Sequence, residues 1–415
     1  MIRFLSLLLL VLVSTQIALA NDLSAPAIEE LRAQGPAGLQ TLMTDYAREI
    51  NHHIANPTAA PDAEWQRISS ALDAVAQQKN SYITGLYWYT DLESAKKASA
   101  ASGKPILSLR LLGKLTDEFS CANSRFFRTV LYPNAEVNAA LRDRFVLHWQ
   151  SVRPVPTITI DFGDGRKLER TLAGNSIHYI LDSQGCTIDA LPGLYGPKAF
   201  LRELASAETF FKSLAGKNDQ QRNFMLSLYY SQQHNKIAAA WTIDTQKIGG
   251  KAPEGFRVVE GNNGEALLIS PLAVTKAITE ANVLRAMTMA NEELGKITDE
   301  AAWRKIAQLH SSDAVLDDRS ISLIKHQNPD LNERELAQLV QKFQDLIALD
   351  TVRNEYLMHS KIYTWIVKDP VRDAVEKLNE QVYAKLFLTP NSDPWLGLFS
   401  ADVYTALDNG GVKKQ

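Results

Sequence analysis

Apolar residues are spaced differently in three successive stretches of the chain. From Asp22 to about Ser81, Ile28, Leu31, Leu39, Leu42, Met43 and Ile50 recur three, four or eight apart in a polar, Ala-, Gln- and Glu-rich background. That spacing predicts helices, broken at Gly35-Pro36. Asn56-Pro57 and Pro61 mark a second break before a helical run from Trp65 to Gln78. The pattern then changes. Asp91 is placed to cap a helix ending at Gly103, and Ile106, Leu107, Leu109, Leu111 and Leu112 follow as a buried strand. "ANSRFFRTVL", stopped by Tyr132-Pro133, and "AEVNAALRDR", capped by Asn134, read as helices, and "FVLHWQSV" as a second buried strand. Alternation around Gly163-Asp164-Gly165 predicts a hairpin, and "SIHYILDSQGCTIDALPG" predicts another turning at Ser183-Gln184-Gly185. "GPKAFLRELASA" closes this stretch as a helix with Pro197 in its first turn. Strand, helix, helix, strand, hairpin, helix is the order of an α/β sheet with covering helices. After about Thr209 the chain is helical again. In "NERELAQLVQKFQDLIALD", Asn332 and Glu335 form a capping box ahead of a stripe made by Leu336, Leu339, Val340, Phe343, Leu346 and Ile347.

These patterns divide the chain into a leader at 1–20, a helical N-terminal arm at 21–81, an α/β domain at 82–208 and a mostly α-helical C-terminal domain at 209–415. A glycine-rich loop interrupts the last of these near 249–266. The leader carries Arg3, an apolar run from Phe4 to Val13 and the small-x-small ending Ala18-Leu19-Ala20, the layout of a cleaved signal peptide. Its apolar run is about half of the ~20 residues a membrane span requires. The expectation is a periplasmic or secreted protein with no membrane span after signal cleavage. Net charge is -3 with scattered basic residues, which leaves no electrostatic footprint for nucleic acid. Two cysteines in an exported chain of 415 residues exclude a disulfide-stapled scaffold, so stability must come from burial. No phosphate-cradling glycine loop, His-Glu-x-x-His or zinc-type cysteine pair is present, and no cofactor or metal site is expected. His148 and His178 fall on predicted core strands and read as hydrogen-bonded structural residues.

One motif carries candidate chemistry. Downstream of Trp88, the chain shows Gly103-Lys104-Pro105, an apolar strand, Cys121 at a helix start, Phe145-Val146 before the next strand, and the "LDSQG" turn at 181 to 185. From about Trp88 to Ala207 it resembles, in that order, a thioredoxin-fold domain of the bacterial exported family. Two positions depart from the family pattern. Ser124 stands where the second cysteine of Cys-x-x-Cys would be, and Ser176 where a proline opens the third core strand. The resemblance implies Cys121 at a helix N-terminus, where the backbone dipole favours thiolate, with Arg125 and Arg128 nearby and Ser124 and Ser176 lining the site. Arg153 is a further candidate neighbour of Cys121. Without a second thiol, the expected activity is monothiol thiol-disulfide exchange with a protein or low-molecular-weight thiol or disulfide partner. The alternative is a redox-inert binding or scaffold protein of the cell envelope. Cys186 would lie roughly 25 to 30 Å along the hairpin at ~3.3 Å per residue, too far to bond Cys121.

Overall fold

The structure, a computed structural model, describes residues 23–56, 60–171, 174–250, 298–368, 375–395 and 406–412. The leader and the glycine-rich loop beyond Gly250 lie outside the described residues.

The N-terminal arm folds as α1 (Ala25–Ala33), α2 (Pro36–Asp45), α3 (Ala47–Ala55), α4 (Ala63–Ala76) and the short α5 (Ser81–Thr84). Gly35 takes the left-handed conformation between α1 and α2, at the break that Gly-Pro announces. Leu31, Leu39, Leu42, Ile50, Ile68 and Leu72 form the arm's own small core. Arg32 ties the arm down by donating to the Val75 carbonyl at 2.9 Å and the Trp88 carbonyl at 2.6 Å.

Next come α6 (Leu92–Ser102), capped by Asp91, β1 (Ile106–Leu112), and α7 (Ala122–Phe126), which continues as a π-helical turn over Phe127–Leu131. Helix α8 (Ala135–Arg144) begins where the Asn134 side chain accepts from the Val137 amide, and β2 (Val146–Arg153) follows. The hairpin β3 (Thr157–Asp161) and β4 (Lys167–Thr171) makes a separate two-stranded sheet. Strands β5 (Ser176–Leu181) and β6 (Thr187–Pro192) then return to the main sheet, whose order is β2-β1-β5-β6. β1 runs parallel to β2 and antiparallel to β5, and β5 antiparallel to β6. The fold is thus mixed α/β. Every residue of β1 and β5 is buried, as near-continuous apolar strands between covering layers require.

Helix α9 (Pro197–Ser213) runs through the position at which the sequence pattern places a domain boundary. It is followed by α10 (Asp219–Lys247), α11 (Glu300–Leu309), α12 (Asp318–Gln327) and α13 (Glu333–Arg353), which passes through a π-helical turn at Asn354–His359 into α14 (Ser360–Lys368). The capping box of Asn332 and Glu335 forms as the spacing predicts. Helix α15 (Val375–Lys385) completes the set. Buried side chains from Leu86 to Phe387 form one contiguous cluster, so these helices and the sheet share a core. Contact is close. A Cβ on Gly196 would lie 2.3 Å from the Asp313 carbonyl oxygen, so only glycine lets the start of α9 reach that turn. No described helix is long and apolar enough to cross a membrane.

Candidate functional site

The loop after β1 delivers Cys121 to the N-cap of α7, where the Cys121 amide donates to the Leu112 carbonyl at 3.3 Å. Ser124 sits one turn on, its hydroxyl 2.7 Å from Ser120 Oγ and 2.8 Å from the Cys121 carbonyl oxygen. Ser176 opens β5 beside Leu111 of β1, and its hydroxyl accepts from Asn123 Nδ2 at 3.0 Å. The three residues singled out from the sequence therefore meet at one corner of the sheet.

That corner is closed. Cys121, Ser124 and Ser176 are all fully buried. Burial pushes the Cys121 thiol above its ordinary pKa. Hydrogen bonding from Ser124, the Leu112 contact and the charge of Arg125 only partly oppose it. The two arginines are committed elsewhere. Arg125 donates to the Ser120 carbonyl at 2.7 Å and to Thr171 Oγ1 at 2.8 Å, and Arg128 to Ser120 Oγ at 3.2 Å. Thus the helix terminus is where the sequence puts it, yet desolvation outweighs the dipole.

The far end of the chain packs beside this corner. Tyr383 of α15 donates to the Asn175 carbonyl at 3.3 Å, and Asn175 Nδ2 donates to Thr389 Oγ1 at 3.1 Å and to the Phe387 carbonyl at 3.4 Å. Arg153 faces this segment too. Its guanidinium donates to the Asp393 and Thr389 carbonyls at 2.8 and 3.1 Å. Tyr132 and Tyr383 both lie near enough to Cys121 to be coupled to it electrostatically. Cys121 and Cys186 are not joined in a disulfide.

The same end of the chain crosses one face of the sheet. Ser108 and Arg110 of β1 share that face with His148 of β2 and Tyr179 of β5. Arg110 is fully buried and reaches Glu376 of α15 at 2.5 Å, while the Tyr179 hydroxyl donates to Asn379 Oδ1 at 3.4 Å. His148 Nδ1 lies 2.8 Å from Ser108 Oγ, and burial together with the Arg110 charge lowers its pKa to about 3. On the opposite face His178 Nε2 lies 2.8 Å from the Tyr132 hydroxyl, and burial lowers its pKa to about 3 as well. Both histidines are neutral, hydrogen-bonded core residues.

One buried cluster carries no signature in the sequence spacing. Asp189 of β6 accepts from His359 Nε2 at 2.8 Å, from the Tyr363 hydroxyl at 2.7 Å and from the Tyr229 hydroxyl at 2.7 Å. Burial alone would raise the Asp189 carboxyl, but the His359 charge and these three hydrogen bonds outweigh it and hold the pKa below the usual carboxylate range. His359 responds in kind. Burial lowers it, but Asp189 and then Glu203 and Glu355 outweigh that and raise its pKa, so each partner favours the charged form of the other. The cluster fastens β6 to α10, to the π-helical turn at Asn354–His359 and to α14. The only hint in the sequence is polarity inside apolar runs, as in "TIDALP" and "YLMHSKIYTWIV".

Two clefts open elsewhere. One of about 680 Å³ lies between α8 and α9, floored by Ala139, Ala140, Leu201 and Ala205. Another of about 550 Å³ lies on the arm, where His53 stacks on Trp65 at 4.1 Å. Neither is lined by Cys121. No group of three or more His, Cys, Asp or Glu among the described residues could hold a metal ion. In comparison with known proteins, the chain matches no family model, no curated protein and no solved structure.

Proposed function

We propose that the chain is an exported, thioredoxin-like but redox-inert binding or scaffold protein of the cell envelope. Support for the thioredoxin-like part is the order strand, helix, strand, hairpin, helix around a sheet of order β2-β1-β5-β6, with the cysteine at the start of the helix that follows β1. The observation that carries the redox-inert part is the complete burial of Cys121. Disulfide exchange requires a thiolate, an open approach to sulfur and, for turnover, a second thiol. Here burial disfavours the thiolate, the segment around Tyr383 and Thr389 packs beside the closed site, and the residue three positions on is Ser124.

The competing monothiol activity makes a different demand. A Cys121 nucleophile would accumulate mixed disulfides with its partners in an oxidising compartment. Purification of the full-length protein from the periplasm under acid quench, followed by non-reducing mass spectrometry, is expected to return unmodified Cys121, with Cys121→Ala as the blank. A mixed disulfide on Cys121, absent from that variant, would establish exchange chemistry and overturn the proposal.

A further inference from the structure

Among the described residues, no side chain of the β3–β4 hairpin belongs to the shared core. Cross-strand pairing puts Ile158 opposite Arg170 and Ile160 opposite Leu168, and the Phe162 amide donates to the Arg166 carbonyl at 3.1 Å. One face of the hairpin therefore presents Ile158, Ile160, Phe162 and Leu168 with Arg166 and Arg170. The other presents Thr157, Thr159, Asp161, Lys167, Glu169 and Thr171. The apolar face is poorly covered: Ile160 is 38% and Phe162 53% exposed, and the Arg166 guanidinium lies over the Phe162 ring at 5.2 Å. Both charges on this face are positive. Arg166 has Asp164 beside it at the turn, at 2.7 Å, whereas Arg170 makes no ion pair among the described residues.

The backbone is open as well. Because Phe162 and Arg166 form a hydrogen-bonded pair, the two-residue alternation of an antiparallel ladder turns the amides of Lys167, Glu169 and Thr171 outward along β4. No backbone hydrogen bond to another described segment uses that edge. A two-stranded sheet with one apolar face and open edges is marginal in water by itself and gains stability from a third strand.

We propose that the outer edge of β4 is a docking site for an extended, acidic and apolar segment of a partner protein, which adds as a third strand and sets carboxylates against Arg166 and Arg170 and an apolar side chain against Leu168. Main-chain hydrogen bonds supply affinity in this mode, and alternate side chains supply selectivity. Charge chooses the occupant. A second copy stacked on this face would bring arginines against arginines. A bilayer would leave the open edge amides and carbonyls unsatisfied. The carboxylates of an acidic strand answer both arginines, and its backbone answers the edge.

This deepens the binding reading above and does not involve Cys121, so a failed docking test leaves the thiol results standing. The probe is a short fluorescent peptide with the palindromic core Glu-Thr-Val-Thr-Glu, which presents the same face in either pairing direction. The full-length protein is expected to bind it saturably at sub-millimolar concentration by fluorescence anisotropy. The Lys-Thr-Val-Thr-Lys counterpart should bind at least ~10-fold more weakly. R166E/R170E should invert that preference. Glu169→Pro, which removes one outward amide at an edge where proline is tolerated, should abolish binding with an unchanged circular dichroism spectrum. Equal binding of the two peptides, no binding of either, or full binding by Glu169→Pro would overturn the proposal. So would a dimer, or co-sedimentation with phosphatidylglycerol vesicles, that Ile160→Asp abolishes.

Discussion

Asp189→Ala is expected to lower the unfolding free energy by about 3–5 kcal/mol, the range found when one partner of a buried ion pair is removed. The loss is large because three side chains point at one carboxylate. Without it, the buried ring of His359 and two buried hydroxyls at Tyr229 and Tyr363 lose their partner. None can turn to water, since His359 and Tyr363 are fully buried and Tyr229 nearly so. Urea unfolding at pH 7 checks the value. Asp189→Asn, which keeps an acceptor and gives up the charge, is expected to recover part of the loss, and His359→Gln combined with Asp189→Asn should cost less than the sum of the two single changes. A loss below about 1 kcal/mol for Asp189→Ala would mean the cluster is solvated and does not fasten β6 to the helices.

The second large effect is acid lability. His148 and His178 have folded pKa values lowered to about 3, against 6.5 unfolded. Between those limits the unfolded chain binds protons that the folded chain refuses, so stability is full above pH 6.5 and falls as pH drops through the window. For the two residues together the loss between pH 7 and pH 5 is roughly 4 kcal/mol, from linkage at 1.36 kcal/mol per pK unit. His359 works the other way. Its raised folded pKa gives stability that is fully present below pH 6.5 and lost as pH rises through the folded pKa, so it offsets part of the fall between pH 7 and 6 and adds no slope at more acid pH. Unfolding midpoints at pH 7, 6 and 5 should fall with a slope approaching two protons. In His178→Asn the slope should drop toward one. A flat profile would show that these imidazoles take up protons in the folded state.

Local signals in the sequence were reliable where one element supplies the whole message. Asp91, Asn134, Asn332 and Pro197 each start a helix where short-range capping chemistry says they should, and Gly163 and Gly185 take left-handed conformations in the two hairpin turns. Cys121 at a helix start is legible for the same reason. Its burial is not, because neighbours of its corner come from a distant part of the chain, as where Tyr383 reaches Asn175 across 208 positions. Arg110 shows the same blind spot. A charge inside "ILSLRLL" sits on a buried strand because Glu376, 266 positions on, partners it. Asp189 and His359, 170 positions apart, follow no spacing rule at all. Periodicity reports which face of an element is covered and is silent about what covers it.

The most direct measurement on the central claim is the alkylation rate of Cys121 against pH, made on the full-length protein with Cys186→Ser so that one thiol reports. The expected result is slow labelling that is governed by opening of the structure, shows no inflection below the free-thiol pKa of ~8.5, and becomes rapid in denaturing urea. Rapid labelling of the native protein with a midpoint well below ~8 would mean an accessible thiolate, and it would contradict the redox-inert reading outright.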